Sequence, residues 1–200
     1  MADLTTFIQL GFRHITDLEA MDHILFLLAL AAIYRPRDWR SALWVVTAFT
    51  AGHSVTLALA VSGVVRFPAA LIEFLIPVTI VATCIENIVV ADRQRAPMHG
   101  NYRPVFAGVF GLVHGAGFAN YLRDLFADQI AIPLFGFNVG IELGQIVVLC
   151  MAALVLLMVD RLISIARQRG GIPVLRLRIL TVSSIVLVVA ARWAVERTPW

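Results

Sequence analysis

Apolar residues recur in six long runs separated by short polar breaks, and this alternation dominates the 200-residue chain. The runs predict helices over about 14–34, 39–65, 68–91, 104–122, 130–159 and 179–194. Breaks fall where helices end or turn: Arg35-Pro36-Arg37-Asp38, Arg66-Phe67-Pro68, the polar stretch holding Arg93, Arg95, Pro97 and His99, and the basic stretch from Arg161 to Arg178. A membrane span needs roughly 20 apolar residues. The apolar heart of the first run, Ile24 to Leu30, is too short unless Asp22 and His23 enter the membrane with it. The fourth run is rich in glycine at 108, 111, 115 and 117, which permits close approach between helices. The pattern predicts an all-α polytopic membrane bundle of about six transmembrane helices, a single domain over 1–200 with no room for a soluble catalytic module.

Composition strengthens that reading: 60% of residues are hydrophobic against 14% charged, and mean hydropathy is +0.87, outside the range of an ordinary soluble domain. All 16 basic residues are arginine, so the high pI reads as membrane topology before nucleic-acid binding, and no nucleic-acid partner is expected. Counted by connection, arginines number three, one, three, one and five along the chain. The positive-inside rule then places both termini on the outer or periplasmic side of a multi-pass inner (cytoplasmic) membrane protein. The N-terminus lacks the basic region and cleavage site of a removable signal peptide. Cys84 and Cys150, without a CxxC spacing, are expected as small core residues.

Depth singles out the polar residues that matter. His53 and His114 fall near the midpoints of their runs, Asp22 and His23 near that of the first, and Glu142 about a turn outward of the fifth's. An ionisable group there costs on the order of 2.5–3.5 kcal/mol, so a compensating partner is required: a cation, water, or one another. One such histidine can simply bond a backbone carbonyl; several on separate helices at one level are harder to explain so. Imidazoles with one or two carboxylates and no thiolate suit a borderline divalent ion, Ni, Co, Zn, Cu or Fe, better than Mg or Ca. Asn138 and Glu142 share a helix face with Gln145 a turn beyond, a stripe fit to line a polar path. Glu86-Asn87 suits an interhelical hydrogen bond and a second site equally, Glu73 can pair with Arg66, and His99 reads as solvated. His14 is an interfacial residue able to coordinate.

Four stretches resemble the HupE/UreJ family of membrane proteins: His14-x7-Asp22-His23-Ile24-Leu25-Phe26, Thr47 to Leu57 around Gly52-His53-Ser54, Phe110 to Ala119 around His114-Gly115, and Gly136 to Gln145 around Asn138 and Glu142. A more distant likeness to nickel/cobalt transporters lies in the first helix and the Gly52-His53-Ser54 segment. The resemblance implies a nickel or nickel/cobalt permease of hydrogenase and urease accessory systems. It implies a metal-binding set of Asp22, His23, His53, His114, Asn138 and Glu142, with His14 as an entry ligand. The expected partners are the metal ion and the lipid bilayer; a homo-oligomer or a metal-delivery accessory protein is compatible with both. The alternative is an intramembrane metalloenzyme in which Zn or Fe activates water at the same cluster and Glu142 or Asp22 takes the proton. A scaffold whose polar groups only lock helices together is the third reading.

Overall fold

The computed structural model describes residues 4–18, 21–92, 102–125, 130–166 and 172–200, and all regular structure in them is helical. The helices are α1 (Leu4–Thr16), α2 (Met21–Ala31), α3 (Trp39–Val61), α4 (Ala69–Asp92), α5 (Tyr102–Leu125), α6 (Ala131–Ala166) and α7 (Val174–Glu196), with a 3-10 turn at Pro36–Asp38. Among the described residues, four segments are long and apolar enough to cross a membrane: Pro36–Val61, Ala69–Ala91, Ala131–Ile165 and Val174–Glu196. The surface of α6 is apolar where a soluble helix would be polar, with Met151, Leu154, Val155, Met158 and Leu162 all exposed. The chain is a multi-pass membrane protein.

The expected single helix over about 14–34 is instead two helices, interrupted between Thr16 and Met21. The first is amphipathic and buries Phe7, Gly11 and Ile15, spaced four apart on one face. The second is apolar nearly all round, and seven of its 11 residues are buried. Other bounds move outward. The fifth run extends to Ala166, and α7 begins at Val174, which takes Arg176 and Arg178 into a helix rather than a loop. The reason for Arg178 is local. Its guanidinium donates to the carbonyls of Ala32 (3.1 Å) and Tyr34 (2.7 Å), just past the end of α2, and pairs with Asp160 at 2.7 Å. His99 lies outside the described residues.

Glycine sets the closest contacts. Gly136, Gly140 and Gly144 of α6 pack on Leu4, Ile8 and Phe12 of α1 in ascending order, so these two helices run parallel; α3 and α5 do the same through Gly111 on Phe49 and Gly115 on His53. At most of these positions a Cβ would strike main chain, so the backbones meet only because it is missing. α4 and α7 pack antiparallel, joined by the Asn87–Ser183 hydrogen bond and the Phe74–Trp200 ring contact. Phe26, Phe49, Leu57, Ile80, Phe137 and Ile141 fill the centre. Cys84 is buried as expected, but Cys150 is exposed on α6; in lipid an apolar side chain needs no protein core around it.

Candidate metal centre

Three helices deliver one histidine each to the middle of the bundle. His14 stands in the last turn of α1, His23 in the first turn of α2, and His53 on the α3 face that α5 covers. The interruption between α1 and α2 is what allows two histidines nine positions apart in sequence to meet, with ring centroids 4.7 Å apart. One ligand nitrogen from each of the three lies within 4.8 Å of the others. Both ring nitrogens of His23 and of His53, and Nε2 of His14, are buried without a hydrogen-bond partner among the described residues. Orphaned polar atoms at such density are costly unless something else satisfies them.

His114 stands beside this group, 5.2 Å from His23 ring to ring. Its Nε2 lies 3.0 Å from Thr79 Oγ1, whose own proton goes to the Ile76 carbonyl at 2.7 Å. With the hydroxyl proton given to Ile76, Nε2 is assigned as the donor to Thr79, which leaves the acceptor role to Nδ1, buried and without a partner among the described residues. That outer hydrogen bond is the kind that orients metal-ligating histidines. Aromatic rings close the remaining sides. Phe118 lies 4.1 Å from His14 and stacks on Phe137, while Phe49 lies 5.1 Å from His114.

The sequence profile of the family described as HupE / UreJ protein matches residues 1–197. The chain belongs to the HupE / UreJ family. No curated protein and no solved structure matches it.

Among the residues that the HupE / UreJ resemblance implies, the fold treats imidazoles and carboxylates differently. Asp22 adjoins His23 in sequence, yet its carboxylate pairs with Arg197 at 3.1 Å. Glu142 accepts a hydrogen bond from Thr47 at 2.6 Å, and Gln145 one from Thr50 at 2.8 Å. The stripe from Asn138 to Gln145 therefore faces α3 at its threonines, and within it Asn138 Oδ1 and Gln145 Nε2 are buried without partners among the described residues. Among the described residues the tight group is His14, His23 and His53. Thr79 and the phenylalanine frame were not anticipated. Thr79 had one available signal, its place with Thr83 and Glu86 at i, i+4 and i+7 on a single face of α4.

Proposed function

We propose that this HupE / UreJ protein is a permease for a divalent transition metal of the nickel/cobalt type, with the ion as its substrate. The observation that carries the reading is the meeting of half-buried His14 with buried His23 and His53, five of whose six ring nitrogens have no hydrogen-bond partner among the described residues. A set of neutral imidazoles suits borderline ions such as Ni, Co, Zn, Cu or Fe. Two nitrogens on one ion at about 2.1 Å each stand at most about 4.2 Å apart, so the 4.8 Å group closes on an ion with side-chain shifts below about 1 Å. His114 and Asn138 stand ready as further donors.

The interrupted first segment supports transport. α1 has 13 residues and α2 has 11, so each covers about half of a 30 Å core at 1.5 Å per residue. Together they make one span broken at the histidines, the discontinuous helix that transporters place at their midplane sites. With α3 to α7 this gives six spans. Arg35, Arg37, Arg103, Arg176 and Arg178 then gather at the inner end, and both termini lie outside in the inner membrane. The enzyme reading asks Asp22 or Glu142 to take a proton from metal-bound water, but Arg197 and Thr47 engage those carboxylates.

The test is uptake of radiolabelled Ni2+ into proteoliposomes. His53→Ala and His23→Ala are expected to abolish accumulation that the unaltered chain supports. Full uptake by both variants overturns the proposal, and metal that survives purification and chelator washing without exchange transfers the case to the enzyme.

A further inference from the structure

The cluster of Glu86, Asn87, Tyr102 and Arg103 plays no part in the histidine site, yet it is joined to it. Glu86 Oε2 and Asn87 Oδ1 both accept from the same atom, Arg103 Nη2, the latter at 3.1 Å. The Tyr102 hydroxyl donates to Glu86 Oε1 and in turn accepts from Arg103 Nε at 3.2 Å. Asn87 is held in place by its amide, which donates to the Ala29 carbonyl at 2.7 Å and to Ser183 at 3.2 Å. Two fixed oxygens thus converge on one positive atom.

A small cavity lies beside this point. Thr83, Glu86 and Arg103 line it together with Phe26 and Phe110, and the Phe26 ring lies 5.6 Å from that of His114. One face of α4 runs from the centre to it: Thr79 bonded to His114, then Thr83, then Glu86, about 10 Å of rise in all.

We propose that Glu86 and Asn87 form a second cation site on the inner side of the histidine group, and that Arg103 occupies it as an exchangeable plug. The inference rests on the transport reading. The ligand chemistry has a direction: a borderline divalent ion leaves imidazole nitrogens for oxygen donors that hold it more weakly. On arrival it displaces the guanidinium, and the guanidinium's return expels the ion and closes the path.

A purely structural Glu86–Arg103 pair would behave differently in two variants. Uptake of Ni2+ into proteoliposomes and Ni2+ bound per chain in detergent are measured for the unaltered protein, Glu86→Gln and the charge-balanced Glu86→Gln/Arg103→Gln. The plug predicts that both variants lose uptake by about tenfold or more, the scale on which metal-shell substitutions act, while bound Ni2+ per chain is unchanged. Arg103→Gln alone is expected to speed efflux from preloaded vesicles. If the double variant regains the unaltered rate, the pair is structural and the plug is refuted. An unaltered protein that takes up no Ni2+ removes the transport reading instead.

Discussion

Replacing Gly115 by alanine tests whether helix contact positions the central histidine. The new Cβ would lie 2.9 Å from His53 Cα and 3.0 Å from its carbonyl carbon. Non-bonded carbons rest at about 3.5–4.0 Å, so α3 and α5 must part by roughly 0.5–1 Å at this level. The obstructing atoms are main chain, and no rotamer change relieves them. Overpacking of this kind costs about 1–3 kcal/mol. The displaced backbone is that of His53 itself, so the ligand moves with it, beyond the roughly 0.5 Å within which a working site must be held. Gly115→Ala is therefore expected to lower the unfolding temperature in detergent and to weaken Ni2+ binding about 10- to 100-fold, read by equilibrium dialysis. Gly108→Ala on the same helix is the control. Its Cβ meets Ala48 O at 3.5 Å, an ordinary contact, so stability should change by no more than about 0.5 kcal/mol, with binding unaltered. Unaltered Ni2+ affinity in Gly115→Ala, or an equal loss in Gly108→Ala, would refute the reasoning.

Thr79→Val removes the hydroxyl that receives His114 Nε2–H while keeping the shape of the side chain. Ni2+ affinity should fall about tenfold with little loss of stability, and an unchanged dialysis isotherm would show that His114 takes no part. Asp22→Asn and Glu142→Gln alter carboxylates engaged by Arg197 and Thr47. Elemental analysis of both should give the metal per chain of the unaltered protein, and loss of the metal in either would make that carboxylate a ligand.

Reading depth along each run placed His53 and His114 near mid-span, because an uninterrupted helix converts sequence position into depth by a constant rise. The same arithmetic could not place His14 beside His23, because the first run is two helices, one ending at Thr16 and the next starting at Met21. A single helix over 14–34 would put His14 near the interface, whereas the two-helix arrangement returns His23 to its level. Arg178 was legible as a basic residue of a connection, but not as a partner. Arg178 is buried because the carbonyls of Ala32 and Tyr34 and the carboxylate of Asp160 converge on it, a fact of packing. Asp22 and Glu142 show the same limit. Their residue types and depth made them candidate ligands, while the direction of each carboxylate depends on whichever donor a neighbouring helix offers.

By itself, the sequence determined that the chain lies in a membrane, that it is helical, and that imidazoles enter its interior. Those conclusions follow from local terms: the transfer energy of each side chain, the backbone's need to satisfy its own hydrogen bonds in lipid, and the length required to cross. Only the tertiary structure decided which imidazoles share a point and which donors engage the carboxylates. That choice rests on interhelical contacts, glycine against backbone at 52, 111, 115 and 140, and these join residues far apart along the chain.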